Sequence, residues 1–438
     1  MSKSFARVLI VSAYGREHWL AVQLVRLGFD VQLIEVTHKL GKWTPSHYEG
    51  PFGIFISPVW TASYIDRLFQ ERITHEAPNG FSIWLKDGPI ELRSPVTTYR
   101  LEQLNQKEKI LKYVHNHDGY SDSQKKDTAN RLENLSFNEK WFAKLAHYLM
   151  ANKTIPTIVE NENYLNRELI CPLLDAFFLR RPQESALESS LQWCESQGVV
   201  VVRNGEVPDL AIHGSEVEGF EVQSAKSGFV RAHQFIWGLS SLETQYAFPK
   251  VFHKIFKDTA VPDYSWQKFK VKLADTPEQK VLPISFLMIE NLEFPWVHEN
   301  FAIVNKNLTD QNSDEFDVWI LIPFSQRFQT KYLENTIQKF LNQLFERAPR
   351  LKPKLISLPI EAASTSQDLG GIPFPVYDEN VLSKTLTKNF SNLHFDNPET
   401  WPLLSWHGSY FGQSQIIDHI SKWWSNLTPL RKEKELEL

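Results

Sequence analysis

Residues 8–36 read VLIVSAYGREHWLAVQLVRLGFDVQLIEV. The apolar run at 5–11 suits a strand buried on both faces of a parallel sheet. Apolar residues then recur at helical spacing over 19–27, and Gly28 stands where a C′ glycine ends a helix. Residues 31–36 supply a second strand, with Glu35 at its carboxyl end. Two parallel strands need a crossover between them, and that crossover is right-handed. The opening therefore predicts a βαβ unit and an α/β fold built on a parallel sheet.

Further along, short strands are expected at 53–58 and 81–85, and Lys86-Asp87-Gly88 signals a hairpin. Residues 101–150 are polar with helical spacing. A helix is expected over 184–197, ending at Gly198, followed by a β-branched strand at 199–202. Residues 211–222 form a hairpin turning at His213-Gly214-Ser215, and 229–237 reads as one strand. Strands are expected at 284–289, 301–304 and 318–323, an amphipathic helix at 330–347, and a C-terminal helix at 416–424 with Ile416, Ile420 and Trp423 on one face. No internal repeat is present.

Composition narrows the function classes. The chain has 438 residues, 42% hydrophobic and 23% charged, with a net charge of −5. That length supports two or three packed units. No basic field points to nucleic acid, and no apolar run is long enough to predict a membrane span. The N-terminus reads as a strand and not a signal peptide, so the default location is the cytoplasm. Cys171 and Cys194 are the two cysteines. Neither has metal or CxxC spacing, so no metal site is predicted. Aromatics at 13% suit a ring-rich core or, alternatively, a large apolar cavity.

The βαβ turn carries the outline of a dinucleotide fingerprint. In that motif three glycines allow a tight turn, approach of the pyrophosphate, and close helix–strand packing. An acid about twenty residues on takes the ribose hydroxyls. Glu35 lies 23 positions after Ser12. In that register the glycine positions hold Ser12, Tyr14 and Glu17, and Gly15 is out of phase. Ser12 is small. Tyr14 puts a ring where a phosphate would lie. Glu17 suits the start of a helix dipole but opposes a bound pyrophosphate. Arg16 and Lys39 are the cations that would compensate. A structural βαβ unit without ligand and an altered cofactor site both fit this pattern.

The segment RLGFDVQLIEV with THKLGKW at 37–43 resembles the N-terminus of flavin-dependent amine oxidases and phytoene desaturases. In that group an R-x-GG-R-type segment follows the acid and contacts pyrophosphate and flavin. Lys39 stands at the basic position and Gly41 at the first glycine. Lys42 replaces the second glycine and Trp43 the arginine. Residues 184–242 resemble the family's return to its FAD domain, with Gly198-Val199, Val207, Ile212, Gly214, Gly219 and Phe235-Ile-Trp-Gly238 in the same order. The family residue matching Val207 packs near the adenine. Residues 404–412, LSWHGSYFG, resemble the final strand–GD/GE–helix segment, whose acid holds the ribityl–pyrophosphate part of FAD. Gly408 precedes that place and Ser409 fills it.

The resemblance implies a GR2-type flavoprotein architecture. A Rossmann-like FAD/NAD(P)-binding domain would come from 1–80, 184–245 and 385–430. A mixed α+β substrate domain would come from 81–183 and 246–384, and 431–438 would be a charged tail. FAD is the implied cofactor. Where it binds, its contacts would be Ser12, Tyr14, Gly15, Glu35, Lys39, Gly41, Val207, Gly408 and Ser409.

Two functions follow. One is a diverged relative with weakened or lost FAD binding that binds a small molecule or a protein partner; Tyr14, Glu17, Lys42 and Ser409 point this way. A partner subunit stabilising a related active enzyme would carry the same signature. The other is an FAD-dependent oxidoreductase acting on an amine or apolar substrate, to which Glu35 and the βαβ frame point. No catalytic residue is assigned. His115, His117 and Asp118 read as a solvated loop. His298 with Glu299, and His407, have no partner at a spacing that supports acid–base work. Trp401, Trp406 and Tyr410 fit a packed core or, as in amine oxidases, an aromatic wall by the flavin. There is no GxSxG motif and no P-loop.

Overall fold

The computed structural model describes residues 6–13, 15–37, 66–68, 70, 74–76, 81–86, 88–91, 177–179, 186–203, 205–222, 228–257, 264–274, 282, 285–290, 300–306, 314–352, 354–357, 375–376, 388–396 and 406–427. The expected strand at 53–58, the polar segment at 101–150, and Tyr14, Lys39, Gly41, Lys42, Trp43, His298 and Trp401 lie outside the described residues.

The chain runs β1 (Arg7–Ser12), α1 (His18–Arg26), β2 (Asp30–Glu35), β3 (Thr74–Glu76), β4 (Phe81–Leu85), β5 (Gly88–Glu91) and β6 (Phe177–Leu179). There follow α2 (Ala186–Ser196), β7 (Val200–Val202), β8 (Asp209–His213), β9 (Glu216–Val222), β10 (Gly228–Arg231), β11 (Gln234–Trp237), α3 (Ser241–Ala247) and α4 (Pro249–Ile255). The remainder is β12 (Tyr264–Lys272), β13 (Ser285–Ile289), β14 (Phe301–Lys306), β15 (Glu315–Pro323), α5 (Thr330–Arg347), β16 (Lys354–Ser357), β17 (Pro375–Val376), β18 (Leu393–Phe395) and α6 (Trp406–Asn426).

The expected βαβ unit forms. α1 ends at Arg26, and Gly28 takes φ +93, a backbone geometry that a side chain would strain. β1 and β2 pair in parallel from Arg7↔Asp30 to Ser12↔Glu35. They sit in a five-stranded sheet of order β18-β11-β1-β2-β7, every neighbouring pair parallel.

Alternation along β1 sends its side chains to two cores. Leu9 and Val11 join Phe235, Trp237, the β8–β9 residues Leu210 and Phe220, and Phe252 of α4. Val8 and Ile10 join Leu20 and Leu24 of α1, Leu191 and Cys194 of α2, and Ile416 and Ile420 of α6. Each fully buried aliphatic or aromatic side chain contributes about 1.5–3 kcal/mol relative to exposure. The sheet thus lies between a helical layer and a layer made of the β8–β9–β10 sheet with α4.

A second sheet runs β16-β12-β15-β14-β13-β4-β5, with β17 also on β12. It is antiparallel except at β13–β4. α5 packs on it through Leu333, Ile337, Phe340, Leu341 and Leu344, the expected amphipathic face. The expected hairpins also form: β4 turns into β5 with Leu85 opposite Gly88, and β8 turns into β9.

Two elements differ from the sequence reading. The stretch 229–237 is two strands, not one. β10 pairs antiparallel with β9, whereas β11 joins the parallel sheet beside β1. The chain changes sheets at Ala232-His233, where the His233 N–H bonds the Arg7 carbonyl and the Arg7 N–H bonds His233 Nδ1. The C-terminal helix begins at Trp406, not near 416, so Gly408 and Ser409 lie within α6 and not in a loop. The last parallel strand is β18, and Asp396 follows it directly.

Among the described residues, no helix is long and apolar enough to cross a membrane, and no group of three His, Cys, Asp or Glu side chains is placed to hold a metal ion.

Candidate functional site

β1 leads to β2 on one side and has β11 on the other, so chain order reverses at β1. Open α/β sheets bind ligands at such a point, outside the carboxyl ends of the strands. The β1–α1 turn, the end of β2, the Trp237–Ser240 segment and Asp396 all lie at these ends.

The turn is filled by the protein itself. Gly15 takes φ +73. Glu17 sits at the N-cap of α1, and its side chain is turned back and fully buried. Glu17 Oε2 accepts the Ser12 hydroxyl at 2.7 Å and the Ala13 N–H at 3.0 Å. Ala13 offers the kind of turn amide that a helix N-terminus presents to an anion. Glu17 Oε1 is buried without a hydrogen-bond partner, 4.0 Å from Arg16 Nε. Burial holds the Glu17 carboxyl well above its ordinary range. Arg16 opposes this, Asp396 adds to it, the Ser12 hydroxyl relieves it, and Glu35 adds a further small push upward.

Arg16, a cation expected to balance a phosphate, is held by protein groups. Its Nη2 donates to the Gly238 carbonyl at 2.9 Å and lies 3.4 Å from Glu243 Oε2. Glu243 in turn closes a capping box with Ser240 at the start of α3. The Arg16 carbonyl accepts from Gln413 Nε2 at 2.6 Å, and that amide also donates to Asp396 Oδ2 at 2.7 Å. One buried network therefore joins the β1–α1 turn, the end of β11, Asp396 and α6.

Glu35 anchors a second network. It is only 3% exposed. Its Oε1 accepts the Thr37 N–H at 2.9 Å and the Thr37 hydroxyl. Its Oε2 lies 3.1 Å from His18 Nε2, and His18 Nδ1 lies 2.7 Å from Ser190 Oγ. A carboxylate on Nε2 fixes the ring proton there and leaves Nδ1 to accept from Ser190. Serine, histidine and glutamate make a triad-like row, and all three are buried.

The remaining candidates divide. Val207 packs against the core that holds Val36 and Leu210. Gly408 and Ser409 are helical. Asp396, not Ser409, holds the place after the last parallel strand that the resemblance gives to an acid; it is fully buried. The sequence carried a signal for it in Leu393-His-Phe-Asp396, a short apolar strand ending in an acid. His18, Ser190 and Gln413 carried none.

Among the described residues, Glu17 in the turn and Glu35 do not fit FAD through the contacts that the resemblance implies. A pyrophosphate needs unengaged donors and positive potential at the turn. This turn supplies a buried carboxyl that already takes Ala13 N–H and Ser12 Oγ. A ribose needs an accessible carboxylate, and both oxygens of Glu35 are engaged within the protein.

The raised Glu17 pKa has a measurable consequence. A carboxyl whose pKa is higher in the fold than in the unfolded chain stabilises fully below its ordinary value of 4.5, and that stability is lost as pH rises toward the folded value. Glu17→Gln mimics the protonated form at every pH. It is expected to gain on the parent from pH 4.5 upward, reaching on the order of 1 kcal/mol at pH 8. Urea unfolding at the two pH values measures this; parallel pH profiles would remove the burial argument.

The fold is a Rossmann-type, two-domain α/β architecture. No family model and no curated protein matches the sequence. Solved structures do match in fold. An oxidoreductase from Methanosarcina mazei superposes with a TM-score of 0.52 at 13% identity, over 94% of this chain and 100% of its own. A geranylgeranyl bacteriochlorophyll reductase-like protein from Thermoplasma acidophilum gives 0.51 at 12% identity, over 99% and 83%. Cyclohexylamine oxidase from Brevibacterium oxydans gives 0.51 at 12% identity, over 96% and 99%. Such identities establish the shared fold, and fold alone does not fix function.

Proposed function

We propose that this chain is a diverged relative of the flavin-dependent amine oxidases and phytoene desaturases, with FAD binding weakened or lost, that acts by binding a small molecule or a protein. The observation that carries the reading is the Glu17 carboxyl on the Ala13 N–H, inside the turn where the fold would place a pyrophosphate. Redox chemistry in this architecture belongs to the cofactor, so a chain that does not hold FAD has no hydride or electron acceptor of its own. Its activity is then recognition.

The second reading is an FAD-dependent oxidoreductase acting on an amine or apolar substrate. Asp396 favours it, since an acid does follow the last parallel strand, and the fold shared with cyclohexylamine oxidase agrees with it. The visible spectrum of the purified protein and an FAD titration followed by flavin fluorescence separate the two. A colourless protein with no saturable quenching is the expected result. A yellow protein, or saturable binding, gives the second reading the case, and amine and desaturase substrates become the next assay.

A further inference from the structure

Arg327 lies in the turn between β15 and α5, away from the β1–α1 turn in sequence. Its guanidinium carbon is 3.6 Å from the ring centroid of Phe324 and 4.3 Å from that of Phe328. Nη1 donates to the Phe324 carbonyl at 2.7 Å. Nε is buried and has no hydrogen-bond partner. Among the described residues no carboxylate pairs with it; the titratable side chain whose field reaches it is the Tyr246 phenol, near the end of α3. Burial pushes its pKa down from the ordinary arginine value, yet an arginine keeps its charge.

Several other described arginines meet acids, although Arg26 meets the Gln197 amide and Arg231 lies over the Phe229 ring. Arg16 meets Glu243, Arg203 meets Glu188 and Glu195, and Arg347 meets Glu290 at 2.9 Å. Stacking on two rings orients the Arg327 fork, but it satisfies none of the guanidinium N–H groups. The Phe328 ring is also unusual for a surface. It is 60% exposed, whereas Phe324 is buried. A guanidinium that keeps its charge and has no acid partner among the described residues favours an external carboxylate at its open end. The N-terminus of the 18-residue helix α5 follows, and its N-cap, Gln329, makes no side-chain capping bond, so the local potential is positive.

We propose that Arg327 and Phe328 form a binding site for a small organic carboxylate with an apolar or aromatic body. The carboxylate meets the guanidinium end-on through Nη2 and the second N–H of Nη1, the planar fork-to-fork geometry that arginine offers. The apolar body lies against the exposed Phe328 ring, which loses water when covered. A single guanidinium flanked by rings suits one negative charge on an organic frame better than a phosphate dianion, which draws several donors. The site is independent of the nucleotide question and stands whether or not FAD binds.

Isothermal titration of the full-length protein with phenylacetate, phenylacetamide and inorganic phosphate tests this. Phenylacetate is expected to bind saturably, and at least about tenfold more tightly than its neutral amide. Arg327→Gln should remove that preference by a similar factor. Phe328→Ala, at an exposed ring, should weaken phenylacetate several-fold while leaving the thermal unfolding curve in place; it carries the test if Arg327→Gln does not fold. Absence of saturable binding, equal affinity for acid and amide, phosphate binding more tightly than phenylacetate, or unchanged affinity in both variants would each overturn the proposal.

Discussion

His18→Ala is expected to lower the unfolding free energy by about 3–4 kcal/mol, among the larger effects available to a single substitution in this chain. His18 is fully buried and joins two other buried groups, Glu35 at 3.1 Å and Ser190 at 2.7 Å. Alanine removes the donor to Glu35 Oε2 and the acceptor of the Ser190 hydroxyl, and leaves a cavity at the α1–α2 contact. Thr37 still holds Glu35 Oε1, which limits the loss. His18→Gln places an amide N–H near the old Nε2 position and should recover the Glu35 contact, so its cost falls to about 1–2 kcal/mol. Chemical denaturation of both variants measures the difference. If alanine costs less than about 1 kcal/mol, Glu35 is not held mainly by His18 and is freer to meet a ribose than its surroundings suggest.

Much of the frame around this network is legible in the sequence. The apolar run of β1, the helical spacing of α1 and the acid ending β2 are local patterns, and local patterns survive folding. The 330–347 helix is legible for the same reason, since one face carries all its buried residues. The start of α6 is not. Two glycines and a serine within HGSYFG read as a loop, but the helix that docks Ile416 and Ile420 on the parallel sheet extends back through them. The split between β10 and β11 falls in the polar interruption Arg231-Ala-His-Gln234, which is compatible with one alternating strand and does not by itself show a change of partner sheet.

The site was legible only in its replacements. Glu17 can be seen to oppose a phosphate, but not to fold back onto Ser12 and Ala13. Glu35 can be seen at the ribose position. Its commitment to His18 rests on Ser190, 172 residues away along the chain, and Asp396 is tied to Arg16 through Gln413. Long-range pairing of this kind has no period and no fixed spacing, so a single sequence does not display it.

Gly238→Ala is expected to destabilise the fold by about 3 kcal/mol, the upper end of what overpacking does. A methyl group at this position would overlap Glu17 Oε1 and Cδ and stand 2.7 Å from the Val11 carbonyl oxygen. Neither neighbour yields readily. Glu17 is pinned by Ser12 and Ala13, and the Val11 carbonyl already accepts the Gly238 N–H at 2.9 Å within the β1–β11 ladder. Adding Glu17→Gly removes the side-chain overlap and leaves the backbone one. The double variant should therefore recover about half of the loss, a coupling that two independent sites would not show. Glu17→Gly alone also opens the Ala13 N–H to an anion. Saturable ADP binding by that variant, with none by the parent, would identify the Glu17 carboxyl as the group that keeps a nucleotide out. No binding by either would shift the cause to the engaged Glu35, and equal binding by both would mean that the turn admits pyrophosphate despite the carboxyl.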